Sequence, residues 1–487
     1  MYKGGKVIAS GGFGCIFEPA LKCKEQDIYT LDENSNEQIS KLMTTKHAND
    51  EFKQIQKYNK ILRVIPNYNN YFLVNNFKLC KPDKLTKSDL KGYQKKCKAL
   101  KKKGITTRNI NNSLDKVMAI NMPNGGIDVE NFVKSYFVDK FTSSNIVRLN
   151  NSLIELLVNG IVPMNKLNIY HCDIKDGNVL VQITETGLIT RLIDWGLSIV
   201  VDKSQEGKPQ EGIPQEGKPQ EGIPRKLFRR PFQFNVPFSS VLFNKDFLLL
   251  YNNFLELTSL QNKNPDYFQI REFVINYIFI WNDIRGTGHL SAINEMIKKL
   301  TIHELIAIKK DKIKAHFIEY EFTYYYIVEY LSKILEKYTN NGNLDLMMYF
   351  ENIFLKNIDI WGFVMVYIVL YEELYKSFDE LNEYQMEFIN KIKYIIIHFL
   401  YENPIDPIDI SSLVNELTNL NKVIEKFGIE KTSKKLEYVS ILEDSLKEGG
   451  FLQKKIKKSK TSKKSKTNKV YKKKDSKKNK TRKRRIY

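Results

Sequence analysis

The sequence predicts an α+β fold, with a strand-rich amino-terminal part, a helical carboxy-terminal part and a disordered basic tail. Three observations carry this. Val7 to Phe17 reads as strand, glycine turn, strand. Val179 to Ile183 and Leu188 to Ile193 are apolar runs around Thr184-Glu185-Thr186-Gly187, the signature of a β-hairpin. Residues 240 to 356 are mostly amphipathic, aromatic-rich helix, and further helical patterns follow. Strands early and helices late are the pattern of the α+β class.

The chain has 487 residues, 42% of them hydrophobic, enough for a two-lobed domain with additions. Its net charge of +21 is uneven. Nineteen Lys/Arg against Asp475 place +18 in Lys454 to Tyr487, leaving +3 upstream. Five cysteines, an odd number without metal-ligand spacing, and a start (Met-Tyr-Lys-Gly-Gly-Lys) unlike a signal peptide predict free thiols and an intracellular, reducing location. No apolar run approaches the roughly 20 residues that span a bilayer. Trp361 to Tyr371, the longest, reads as a buried helix.

The chemistry gathers around the hairpin. Tyr170-His171-Cys172-Asp173-Ile174-Lys175-Asp176-Gly177-Asn178 leads into it, and Asp194-Trp195-Gly196 follows it. A hairpin brings its ends together, so Asp173, Asn178 and Asp194 can converge. The point they share offers an acceptor for a hydroxyl proton and two oxygen ligands for a hard cation. Phosphoryl transfer needs this set, because its catalysis is mostly positioning and neutralisation of phosphate charge.

These residues resemble the catalytic core of eukaryotic-type serine/threonine protein kinases, His-Arg-Asp-Leu-Lys-x-x-Asn followed by Asp-Phe-Gly. The resemblance implies a bilobal protein-kinase-like fold with a β-rich N-lobe and a helical C-lobe. It makes Asp173 the catalytic base and Lys175 the neutraliser of the transferring phosphate, and it gives magnesium to Asn178 and Asp194. Trp195 stands for the usual Phe and keeps a large ring for packing. Cys172 stands for the Arg that grips an activation-loop phosphate in many relatives, which predicts activity independent of that phosphate.

The expected N-lobe is residues 1–123. Gly11, Gly12 and Gly14 let backbone N–H groups approach phosphate oxygens, with Phe13 at the loop tip. By the resemblance, Ile8 and Ile16 flank the adenine of ATP, Ala9 takes the place of the motif's first glycine, and Lys41 pairs with the α/β-phosphates, with Lys46, after Thr-Thr and closer to the next helix, as its rival. Ala48 to Arg63 reads as a helix with Phe52, Ile55, Tyr58 and Leu62 on one stripe. Its Glu51 is the default partner for Lys41, although a first-turn glutamate also suits the helix dipole. Tyr71 to Leu79 reads as a strand, about 81–108 as a lysine-rich insertion, and Val117 to Ile120 as a strand. Asn121 to Gly126 has the composition of an inter-lobe hinge, and by the resemblance Met122 there and Leu180 of the hairpin lie at the nucleotide.

The expected C-lobe is residues 124–430. Ser144 to Val162 is helical. Four pentapeptides, Gln-Glu-Gly-Lys/Ile-Pro, fill 205–224 with a segment that can form neither helix nor ladder. Arg225 to Phe238 stands where kinases dock substrate; its basic residues suit acidic substrates or simply a solvated face. About 240–356 is a helical insertion. Asn357 to Phe363 resembles the Asp-x-Trp motif, by which Asp359 holds the catalytic-loop backbone. Helices at about Glu383 to Tyr401 and Ser411 to Phe427 follow, with Gly428 as a C-cap. The glycine-loop stretch through Cys23, Pro231 to Phe238 and the basic tail together look like kinases of giant DNA viruses.

Residues 431–487 form a linker and tail. Lys, Ser, Thr and Asn with almost no apolar side chains predict disorder from Lys454. The tail's chemistry suits nucleic acid or another polyanion, an import-like address, an acidic membrane, or solubility alone. The leading expectation is ATP- and magnesium-dependent phosphorylation of protein Ser/Thr. A pseudokinase or scaffold binding a polyanion, and a small-molecule kinase, are the alternatives.

Overall fold

A computed structural model describes residues 5–24, 38–137, 143–185, 187–201, 222–259, 264–301, 312–377 and 380–427, without the side chains of 259 and 312–324. All lie in the first of two compact units, Met1–Ile429. Most of the pentapeptide repeats, Gly428 and the tail fall outside these residues. The architecture is α+β, sheet-rich in its amino-terminal region and helical in its carboxy-terminal region.

Five antiparallel strands form the first sheet: β1 (Lys6–Ser10), β2 (Gly14–Glu18), β3 (Gln38–Thr44), β4 (Lys78–Cys80) and β5 (Val117–Pro123), in the order β1-β2-β3-β5-β4. Alternation gives the sheet two buried faces. On one, Cys15, Leu42 and Ala119 pack with Leu85, Tyr93, Leu100 and Ile105 of the lysine-rich insertion. That segment therefore shares a core with the sheet and forms two short helices, α2 (Tyr93–Lys96) and α3 (Lys98–Lys101). On the other face, Met43, Ile120 and Met122 meet Ala48 of α1 (Thr45–Leu62). Helix α1 buries Ile55, Tyr58 and Leu62, while Phe52 is half-buried.

Two expectations are corrected here. Tyr71 to Leu79 is not one strand, because its first residues pair elsewhere. Leu192 N donates to Tyr71 O at 2.8 Å and Leu73 N to Leu192 O at 3.1 Å, which ties them to the hairpin. Only Lys78–Cys80 joins the sheet. Four of the five cysteines are also not free thiols. Cys15 is bonded to Cys97 and Cys23 to Cys80, with Cα atoms 5.3 and 5.7 Å apart. The insertion lies against β1 and β2, where Val7 N donates to Lys91 O, and this brings Cys97 to Cys15, 82 residues away; Cys23 meets Cys80 of β4, 57 residues away, where Lys24 N donates to Lys81 O. A reading based on local spacing sees neither pair. Cys172 is the free, buried one, so the cysteines do not point to a reducing location.

Beyond Pro123, β6 (Ile127–Asp128) pairs with β8 (Val179–Ile183), which pairs with β9 (Leu188–Leu192). Helix α4 (Val129–Phe137) follows β6. Helix α5 (Ser143–Glu155) continues through a wide turn, Leu156–Ile161, into α6 (Val162–Lys166). It leads directly to β7 (Ile169–Tyr170), and β10 (Ile199–Val200) returns beside β7. Helices Lys245–Ser259, Tyr267–Arg285, Gly288–Leu300 and Lys312–Tyr338 make up most of 240–356. Helix Leu355–Met365 carries Asp359, and Glu383–Ile396 and Ile410–Ile424 come last. Among the described residues one helical run, Leu346–Tyr375, is long and apolar enough to cross a membrane, but 94% of its most apolar window is buried in this fold. The expectation of a buried helix there holds.

Candidate active site

The hairpin forms as expected, with Val179 opposite Leu192 and Ile183 opposite Leu188. Its ends close because Ile193 N donates to Asn178 O at 3.0 Å. Asp194 therefore begins one residue beyond a backbone bond to Asn178. Asn178 in turn donates through Nδ2 to the Asp173 carbonyl at 2.7 Å and to Asp173 Oδ2 at 3.0 Å.

Asp173 is buried, and each of its carboxylate oxygens has its own partners. Oδ2 accepts from Lys175 Nζ and Asn178 Nδ2, both at 3.0 Å and both on its own loop. Oδ1 accepts from Asn235 Nδ2 at 2.9 Å and lies 3.5 Å from Arg230 Nη2, both on the segment after the repeats. Burial by itself would raise this carboxyl. Lys175, Asn235 and Arg230 outweigh it and hold the group below the ordinary carboxylate range.

The loop around Asp173 is held from below. Asp359, fully buried, accepts from His171 N and Cys172 N at 2.8 Å and from Asn165 Nδ2 at 2.7 Å. Burial raises the Asp359 carboxyl despite these donors. The same helix donates from Trp361 Nε1 to Phe234 O at 2.8 Å. At Gly362 a Cβ would stand 2.6 Å from Ile174 O and 3.1 Å from Asn235 O, so only glycine lets the helix approach both loops. Cys172 and Asp194 have left-handed backbones, φ 60° and 64°, uncommon for side-chain-bearing residues and located on either side of the site.

Lys41 joins from β3. Its Nζ lies 2.7 and 2.9 Å from the two Glu51 oxygens and 4.0 Å from Asp194 Oδ1. Burial opposes the ammonium, but Glu51 and Asp194 together raise its pKa. Glu51 sits in the second turn of α1, which begins at Thr45, so a first-turn dipole role does not apply. Ile16 and Ile120 are the register partners of Lys41, and Met122 partners Ile39, so all share the Lys41 face. Leu180 packs under Gly125, where a Cβ would come within 2.7 Å of it. Ile8 occupies a register shift in β1 and is half-buried; its carbonyl accepts from Lys96 Nζ. No contact among the described residues brings the Ile8 side chain to the cluster.

The glycine loop divides in role. Gly11 N donates to Gly14 O at 3.0 Å, closing the turn. Gly11 and Gly12 have open space where a Cβ would be, whereas a Cβ at Gly14 would strike Leu42 O and the Met43 side chain. Gly14 thus serves strand packing. Phe13 is exposed at the tip with its ring 4.8 Å from His47.

Trp195 does keep a packing ring: it is buried against Tyr58 (5.2 Å), His171 (5.0 Å) and Phe72 (5.8 Å). The site also has members that the sequence reading missed, namely Arg230, Asn235, Gly362 and Tyr58, whose hydroxyl donates to Ser198 O at 3.0 Å.

No group of three His, Cys, Asp or Glu that could hold a metal occurs among the described residues. Asn178 and Asp194 fit a different kind of site. With Nδ2 committed to Asp173, Asn178 has its amide oxygen to offer, and the Asp194 carboxylate is half-exposed at 47%. One carboxylate and one amide oxygen suit magnesium, which keeps several waters and takes phosphate oxygens as further ligands. The chain matches no family model and no curated protein.

Proposed function

We propose that this chain is a serine/threonine protein kinase, transferring the γ-phosphoryl group of ATP to a protein hydroxyl. The observation that carries this is the joining of two clusters. The Asp173–Lys175–Asn178 loop meets Asp194, whose carboxylate is shared with the Lys41–Glu51 pair of the sheet. An ion pair holding a lysine beside one carboxylate, with a second, ionised carboxylate nearby, suits phosphoryl transfer better than any other common reaction.

In this reading Asp173 remains ionised at neutral pH and orients the acceptor hydroxyl. As that oxygen bonds to the γ-phosphorus and the bond to ADP breaks, Asp173 Oδ2 takes the proton. Lys175 lies beside that oxygen and offsets charge on the group in flight. Lys41, positioned by Glu51, meets the α/β-phosphates, while Ile16, Met122 and Leu180 supply apolar surface for adenine. Magnesium, held by Asn178 and Asp194, would neutralise phosphate charge. Asp359, by fixing the His171 and Cys172 N–H groups, sets the angle of the loop. The bilobal kinase fold, the intracellular setting, the likeness to giant-virus kinases and polyanion binding by 454–487 belong to the same proposal.

Nucleotide titration tests it. A non-hydrolysable ATP analogue should bind in a magnesium-dependent way, with Lys41→Met weakening binding at least about tenfold and Asp194→Asn removing the magnesium dependence. Binding that is absent, or indifferent to both substitutions, contradicts the reading.

A further inference from the structure

Arg230 is a buried cation at the centre of the site. Only 3% of it is exposed. Its Nη2 donates to the Cys172 carbonyl and lies 3.5 Å from Asp173 Oδ1, and its Nε donates to Gln233 Oε1 at 3.2 Å. Its own carbonyl accepts from Asn244 Nδ2 at 3.0 Å, which fixes the backbone behind it. Nη1 is buried with no partner among the described residues. Burying a guanidinium costs several kcal/mol unless an anion and acceptors compensate it, and Asp173 is the anion within 4 Å.

The catalytic loop carries no cation at position 172, where a cysteine stands. Arg230 supplies one from another part of the chain, and its nearest loop acceptor is the carbonyl of Cys172 itself. The division of the Asp173 carboxylate follows from this. Its own loop holds Oδ2, and the segment Arg230–Asn235 holds Oδ1. A carboxylate gripped at both oxygens from two separate segments is oriented only when both are docked. Lys226 docks the same segment at a second point, donating to Ser198 O at 2.8 Å and Gly196 O at 3.1 Å.

We infer that Arg230 is a positioning residue for phosphoryl transfer: docked against the Cys172 carbonyl, it orients Asp173 with Asn235, so the segment after the repeats completes the site by its own cation. This rests on the kinase reading and deepens it. Arg230 acts through Asp173.

Steady-state transfer kinetics at varied ATP test it, on wild type, Asp173→Ala, Arg230→Met and Arg230→Lys, with thermal unfolding of each. The expected result is a kcat about 100-fold lower in Arg230→Met, the scale of a misplaced reacting group, with the KM for ATP within about twofold of wild type. Arg230→Lys should recover at least about a tenth of wild-type kcat, because it restores the charge without the fork. Arg230→Gln, neutral but still a donor to Cys172 O, takes the place of Arg230→Met should that variant not fold, with the same loss expected. A purely structural anchor would instead show lowered thermal midpoints and a kcat restored on cooling. That result overturns the inference, as does an unchanged kcat in the neutral variant while Asp173→Ala is inactive. Absence of transfer by the wild-type chain overturns the kinase reading and the role of Arg230 together.

Discussion

Lys41 Nζ lies 2.7 Å from Glu51 Oε1 and 2.9 Å from Oε2, so one ammonium is shared by both oxygens of a carboxylate ten residues away. The short span works because β3 runs into α1 without a loop, Thr44 ending the strand and Thr45 starting the helix. Both side chains are mostly buried, at 12% and 15% exposure, so neither tolerates loss of the other well. Lys41→Met should lower kcat/KM for ATP at least about 100-fold, and Glu51→Gln about tenfold. The double variant should be no worse than Lys41→Met, since the two act as one unit. Additive losses would show that they act separately.

Asp359→Ala should be strongly destabilising. It removes the acceptor for three donors, Asn165 Nδ2, His171 N and Cys172 N, in a fully buried place. Several orphaned donors imply a loss of about 3 kcal/mol or more in denaturant unfolding. Transfer activity should fall as well, because the loop bearing Asp173 loses its support. A loss under about 1 kcal/mol would contradict this account of the loop.

The two disulfides give a third expectation. Thiol titration of the unreduced, denatured chain should find one thiol, Cys172, and five after reduction. Each bridge closes a long loop, so its removal should cost about 2–5 kcal/mol of stability. Five thiols before reduction would return the chain to the free-cysteine expectation.

Asp173 sets the sign of a pH effect. Its folded pKa is below the unfolded value, so ionisation stabilises the fold above the unfolded pKa, and this contribution is lost as pH falls through the folded pKa. Asp173→Asn should therefore differ from wild type in unfolding free energy at neutral pH, and the part of that difference due to ionisation should fade as the pH falls through the folded pKa. A difference that grows on acidification would mean that the carboxyl is raised instead.

The parts of the site that depend on local order were legible in the sequence. The hairpin, the five-residue step from Asp173 to Asn178 and the stripe on α1 each follow from short-range pattern. The Lys41–Glu51 pair follows from the resemblance, with Glu51 the only glutamate between Lys41 and Glu130. Arg230 and Asn235 were not legible, since they lie in a segment without periodicity that is held by distant contacts, among them the close approach of the Asp359 helix at Gly362 and its bond to Phe234 O. The bridge Cys15–Cys97 likewise depends on an insertion folding back over β2, a contact that no spacing rule encodes. Tyr71 to Leu79 misled because its residues are apolar for two different partners, the hairpin and the sheet.

The most direct test of the central claim is transfer of label from γ-labelled ATP to casein and to the chain itself, comparing wild type with Asp173→Ala. The account predicts labelled phosphoserine or phosphothreonine with wild type and a loss of at least about 1,000-fold in the variant. No labelling by a folded, ATP-binding wild-type chain, or equal labelling by both, would contradict it.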